Sequence, residues 1–131
     1  MKAEIFRNLM TQPPQDQPKI LHVCTRDSLR PLRDEILRKS GFRVDSTLSA
    51  TEALSMFAAH PYDLVLIDIE SEQGVVEAEP LCGKVRELVH GQTIAFVCNW
   101  RVAIMTDCPD EILRTEFDPR RFVSGVKKMV E

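Results

Sequence analysis

Long apolar runs, paired cysteines and a surplus of charge of one sign are all missing from this chain of 131 residues. No stretch approaches the roughly 18–20 apolar residues that a membrane-crossing helix needs. The N-terminal "MKAEIFRNLMTQPPQDQPK" has no secretory hydrophobic segment and no small-residue cleavage site, so a cytoplasmic location is expected, with no membrane partner. Lys and Arg number 17 against 20 Asp and Glu, a net charge of −3. Nucleic-acid binding draws on clustered basic groups. The basic pairs Arg120-Arg121 and Lys127-Lys128 read as the solvated face of a terminal helix, so a nucleic-acid partner is not expected. The cysteines (Cys24, Cys82, Cys98, Cys108) form no C-x-x-C pair, and reduced thiols are the default expectation. His22, His60 and His90 are scattered without ligand spacing, which argues against zinc.

What is present suits one soluble-type domain. At 44% hydrophobic residues, a chain of this length can bury a core without metal or disulfide staples. Residues 1–18 read as a tail: "EIFRNLM" has the pattern of a short helix, and "TQPPQDQP" breaks it. The compact domain is expected over 19–131. From Lys19, strand and helix signals alternate. "KILHVC" (19–24) is β-rich. Asp27 or Ser28 is suited to cap a helix with Pro31 in its first turn and Leu29, Leu32, Ile36 and Leu37 at helical spacing, stopped by "SG" at 40–41. "FRVDST" (42–47) alternates like a half-exposed strand. Ser49 and Glu52 form a capping box before Ala53, Leu54 and Phe57, and Pro61 ends that helix.

"YDLVLID" (62–68) is apolar at consecutive positions, as in a central parallel strand covered on both faces. After a loop, Pro80 is expected to open a helix bearing Leu81, Val85 and Leu88, followed by the buried strand "TIAFVC" (93–98). "NWRVAIMTDCPD" has room for one short helix. "EILRTEF" (111–117) reads as the last strand. "DPRRFVSGVKKMVE" reads as a terminal helix with Asp118 as N-cap, Pro119 at its first position, and Phe122 and Val126 inward. Five strands alternating with helices predict an α/β, doubly wound parallel sheet. Sites in such sheets lie beyond the carboxyl ends of the central strands, where Asp68 stands.

The segments "KILHVCTRDSLRPLRDEILRKSGFRVDSTLSATEALSMFAAHPYDLVLIDI" and "EFDPRRFVSGVKKMV" resemble the receiver domain of two-component response regulators, over about residues 19–131. The shared rhythm is "G-x-x-V…A-x-x-A-L…YDLVLxD". The resemblance implies a flavodoxin-like (βα)5 fold, strand order 2-1-3-4-5. It implies that Asp68 stands at the phospho-acceptor position. In a working receiver, two acids after the first strand hold Mg²⁺ beside that aspartate, a Ser or Thr and a Lys bind the phosphoryl oxygens, and an aromatic on the last strand relays the change.

In this sequence the acid pair falls on Cys24 and Thr25, the hydroxyl position on Cys98, the lysine on Thr115 and the aromatic on Ile112, while Glu116 replaces the proline after the lysine. Asp27 stands too far along and reads as a cap. The loop after Asp68 reads as about two residues longer than is usual, and the segment from Cys98 to Thr115 as about five residues shorter, so the fourth helix is expected to be shortened or irregular.

One carboxylate, even helped by Glu70 or Glu72, makes a poor site for Mg²⁺. Phosphoryl transfer depends on positioned positive charge. The expectation is therefore a stand-alone, atypical receiver-like signalling domain of bacterial type, a pseudo-receiver. It would be no enzyme, would have no cofactor or resident metal, and would act by contact with a protein partner. No fused DNA-binding or enzymatic output domain is expected behind the terminal helix. Trp100 and Arg101 are the candidate interface, with Trp100 folding over the vacated acidic pocket as the other reading. A homodimer through the face that the family builds from its fourth helix, fifth strand and fifth helix is compatible with this expectation.

Two alternatives stay open. One is a phospho-accepting receiver in a phosphorelay, with Asp68 modified, Mg²⁺ bound, and Asp68 and Glu70 as weak metal candidates. The other is a ligand-binding or enzymatic module using the strand-end cleft, where Cys24 and Cys98 would bracket Asp68.

Overall fold

The computed structural model describes residues 17–115 and 118–131. The expected N-terminal tail lies almost wholly outside the described residues, as do Glu116 and Phe117. Five strands, β1 (Lys19–Cys24), β2 (Arg43–Thr47), β3 (Leu64–Asp68), β4 (Ile94–Cys98) and β5 (Glu111–Arg114), form one sheet in the order β2-β1-β3-β4-β5. Every pairing is parallel. Four helices accompany them: α1 (Arg30–Lys39), α2 (Ala50–Ala59), α3 (Glu72–Leu88) and α4 (Pro119–Val130). The architecture is the expected flavodoxin-like one, with the fourth of the five expected helices absent among the described residues: 99–110 is irregular.

The sheet separates two apolar layers. On one side Leu21, Val23, Val65, Ile67 and Phe96 meet Phe57 of α2 and Leu81, Cys82 and Val85 of α3. On the other, Ile20, Leu64, Leu66 and Val97 meet Leu37 of α1 and Phe122 and Val126 of α4. Alternation along β1 puts His22 on the Ile20 face, a polar ring inside an apolar layer.

Several local expectations hold. Ser49 caps α2 by accepting from the Glu52 N–H. Asp118 accepts from the N–H groups of Arg120 and Arg121, with Pro119 opening α4. Gly41, at φ 99°, supplies the left-handed turn after α1 that an L side chain resists.

Others are corrected. Helix α1 starts at Arg30 behind Leu29 with no side-chain cap, so neither Asp27 nor Ser28 serves as one. Its inward stripe is also rotated: Leu32 is exposed while Asp34 is buried. Helix α3 begins at Glu72, eight positions before Pro80, which lies inside it. The connection after Asp68 is therefore short, not lengthened. Packing of Ala78, Leu81, Cys82 and Val85 outweighs the missing N–H of an exposed proline. Leu88 of the expected face points to solvent. The default of four reduced thiols also fails, since Cys82 on α3 is joined to Cys108 in a disulfide with a Cα–Cα distance of 6.4 Å.

Candidate functional site

Parallel pairing aligns the strand ends. Cys24 is in register with Asp68, Asp68 with Val97, and Cys98 with Arg114. The Ile69 N–H donates to Val97 O at 2.7 Å, and the Thr115 N–H to Cys98 O at 3.0 Å. These bonds bring Asp68, Cys98 and Thr115 to one cleft of ≈ 540 Å³, together with Arg26, Arg33 and Arg101.

The Asp68 carboxylate is already engaged at both oxygens. His22 Nε2 lies 2.8 Å from Oδ2, and Arg33 of α1 donates to Oδ1 from Nη1. The other nitrogen of the same imidazole, Nδ1, lies 2.7 Å from Asp34 Oδ1. Asp34 Oδ2 accepts from the Ser46 hydroxyl at 2.6 Å, and Ser46 Oγ accepts from Arg30 at 2.9 Å. A chain of polar contacts thus runs from β2 through α1 and β1 to β3, with His22, Asp34 and Asp68 all buried. Arg33 also stacks over the Phe122 ring, 5.2 Å from its centroid, which ties the guanidinium to α4.

An ionised carboxylate only accepts hydrogen bonds, so a ring between two of them must donate from both nitrogens. Two acceptors of this kind favour the doubly protonated ring. Burial alone would lower its pKa, but hydrogen bonds to Asp34 and Asp68, with their charges, outweigh that and raise it. Asp34 is shifted the opposite way: burial pushes it up, and the bonds from His22 and Ser46 bring it below its usual value. The two free thiols are held protonated. Burial, with the Asp68 charge, pushes Cys24 up to about 12, and burial also raises Cys98. Neither is a ready thiolate nucleophile.

His22, Cys24 and Asp68 place possible metal ligands within 4.8 Å of one another. The donor set nevertheless fits Mg²⁺ badly. That ion asks for hard oxygens in octahedral array. Here it would find a thiol, a ring with a carboxylate at each nitrogen, and a carboxylate already bonded to a guanidinium.

Other expected positions scatter. Thr25 is exposed and lines a separate surface hollow with Ser49 and Glu77. Glu70, the weak metal candidate, is paired with Arg26 at 2.8 Å, and Glu72 is the exposed first residue of α3. Ile112 is half-buried against the α2–α3 layer. Trp100 does not fold into the cleft: 67% of it is exposed, with the Arg114 guanidinium 5.8 Å from its ring centroid. Arg101 does line the cleft.

His22, Arg33, Asp34 and Ser46 were not among the expected site residues. Two signals for them are in the sequence: a histidine inside the apolar run of β1, and an acid three positions before Leu37.

No family model matches the chain, and no curated protein matches it. Solved structures do. The response regulator protein TrrA from Thermotoga maritima, in complex with Mg²⁺-BeF, is 26% identical, covering 86% of this chain and 99% of that one with a TM-score of 0.73. TrrA in complex with the histidine kinase ThkA matches equally well, at 26% identity, 88% and 100% coverage and a TM-score of 0.73. The chemotaxis response regulator CheY4 of Vibrio cholerae shares the fold at 15% identity, 86% and 98% coverage and a TM-score of 0.72. The fold is that of the CheY-like response regulator receivers. Within this receiver fold, Asp68 ends β3 where the sequence resemblance places the acceptor, and an internal cation, Arg33, has its guanidinium on the carboxylate.

Proposed function

We propose that this chain is an atypical receiver-like signalling domain that works by binding a protein partner, without conventional phosphorylation of Asp68. The observation that carries this reading is the double engagement of the Asp68 carboxylate by His22 and Arg33. An acceptor aspartate needs one oxygen free to attack phosphorus and uses the other on the metal. Here both are already used within the fold. Cys24 and Thr25 in place of acids, and Thr115 in place of a lysine, support the same reading, because phosphoryl transfer rests on positioned positive charge. No resident Mg²⁺ and no catalytic activity are part of the proposal.

Partner contact is assigned to the irregular 99–110 segment. Trp100 and Met105 stand out from it, 67% and 90% exposed, and large apolar side chains of this kind anchor interfaces. TrrA in complex with a histidine kinase supports a signalling protein as the partner class.

The test is intact-mass measurement after incubation with acetyl phosphate or phosphoramidate, with and without Mg²⁺, beside Asp68→Asn. No adduct is expected under any condition. A Mg²⁺-dependent gain of one phosphoryl group that the mutant lacks would overturn the proposal and restore the phospho-accepting reading.

A further inference from the structure

The irregular 99–110 segment is held at its two ends and loose between them. At its start Val102 is buried in the core, and Arg114 of β5 donates to the carbonyls of Asn99 and Val102 at 2.8 and 2.7 Å. At its far end Asp110 exchanges two hydrogen bonds with Ile94 of β4, each 2.8 Å. Arg86 of α3 reaches Cys108 O and the Asp110 carboxylate there, and the Cys82–Cys108 disulfide supplies the covalent fastening. Between these ends only Ile104 rests against the core. Among the described residues, no hydrogen bond joins 103–107 to another part of the fold: the Thr106 hydroxyl accepts from the neighbouring Cys108 N–H alone.

The two bonded sulfurs have unlike surroundings. Cys82 is fully buried in the inward stripe of α3 with Ala78, Leu81 and Val85. A reduced cysteine packs there as a small apolar side chain, so that stripe does not depend on the bond. Cys108 is half-buried on irregular chain, and its sulfur is the one an incoming group reaches. A disulfide between two packed elements only staples them. This one joins a packed helix to the stretch with the fewest contacts, and local opening is confined to such stretches. Cys24 and Cys98, buried and free, are held protonated and stay out of the exchange.

From this arrangement we infer that Cys82 and Cys108 form a reversible thiol–disulfide site that governs how the 99–110 segment is presented, with a dithiol reductant, such as a protein with a C-x-x-C pair, as the reacting partner. The inference rests on the reading of that segment as the partner-contact surface. A thiolate of the reductant attacks Cys108 Sγ, the S–S bond breaks, and the Cys82 sulfur leaves and takes up a proton. The second thiol of the reductant then attacks the reductant's own sulfur in the mixed disulfide, and Cys108 leaves as a thiolate that is protonated in turn. Two electrons and two protons have passed to the chain, and the reductant departs as a disulfide. A disulfide oxidant reverses both steps. Oxidised, the segment holds Trp100 and Met105 as anchors set in advance, the state that favours binding. Reduced, Met105 is released with 103–108, while Trp100 stays beside Arg114.

The test compares ¹⁵N–¹H spectra of the full chain, oxidised and in excess dithiothreitol at neutral pH, with thiols counted by mass after acid quench, denaturation and alkylation. Reduction under native conditions is expected to raise the count from two thiols to four. The signals of 103–108 should then lose their dispersion while those of β1 and β3 stay in place, and oxidised glutathione should restore the first spectrum. Cys108→Ser should give the reduced spectrum with or without dithiothreitol. Should that variant fail to fold, the reduced natural chain carries the test alone. A bond that dithiothreitol opens only after denaturation, a reduced chain that unfolds throughout, or a reduced chain whose 103–108 signals do not move would each overturn the inference. No phosphoryl donor is present, so failure here leaves the reading of Asp68 standing, and an acetyl-phosphate adduct would defeat that reading without touching these spectra.

Discussion

At the scale of single residues, His22 decides how the site behaves. It is fully buried, with a carboxylate at each ring nitrogen, and its charge makes two buried carboxylates tolerable. Removing one member of such a set leaves uncompensated charge in the interior. His22→Leu, close in volume, is therefore expected to lower stability by about 3–5 kcal/mol, read from urea unfolding. The pH dependence follows from the shifts. A histidine whose folded pKa is raised above its usual value contributes stability that is complete below the unfolded pKa of about 6.5. That contribution is lost as pH rises through the folded value. Asp34, lowered on folding, contributes stability above its unfolded pKa that is lost as pH falls through its folded one. Unfolding measured across pH should show a mildly acidic plateau with a decline that sets in above about pH 6.5, and the variant should lose that decline. In the sequence, His22 is one histidine in an apolar run, with no partner at any informative spacing. Its partners lie 12 and 46 positions away, and only the parallel pairing of β1 with β3 and the seating of α1 bring them together.

At the scale of elements, the sequence reads well where local chemistry decides and poorly where packing does. The Ser49 and Asp118 caps and the Gly41 turn are set by neighbouring residues, and all three are legible. Pro80 is not, because a proline signals the first turn of a helix whenever nothing else speaks, whereas here the buried stripe of α3 carries the helix through it. The same stripe holds Cys82, and the disulfide to Cys108 fastens the irregular segment between β4 and β5 to α3. Arg86 supports this joint, donating to Cys108 O at 2.7 Å and pairing with Asp110 at 2.9 Å. A sequence separation of 26 residues implies stabilisation by chain entropy of about 3–4 kcal/mol. Thiol counting on denatured, unreduced protein should find two free cysteines, Cys24 and Cys98, and reduction should lower the melting temperature. Four free thiols would contradict the pairing.

At the scale of the whole molecule, five apolar strand signals in alternation with helices are enough to give a doubly wound parallel sheet, whereas the order β2-β1-β3-β4-β5 is what the receiver resemblance implies, since alternation alone leaves other orders open. The position of Asp68 at the end of the central strand follows from the same reasoning. What surrounds Asp68 does not, because the resemblance places a receiver's helpers at the strand ends, while the groups that hold this carboxylate come from the middle of β1 and from α1. The fold keeps the receiver's layout and sets a histidine ring and a guanidinium of its own on the Asp68 carboxylate.

The measurement that bears most directly on this is the ring ¹⁵N and ¹H spectrum of His22 at neutral pH, recorded with and without millimolar Mg²⁺. A doubly protonated ring, with slowly exchanging N–H signals on both nitrogens that Mg²⁺ does not move, is the expected result. A neutral ring, or signals that shift as Mg²⁺ displaces Arg33 from Asp68, would show that the carboxylate is open after all.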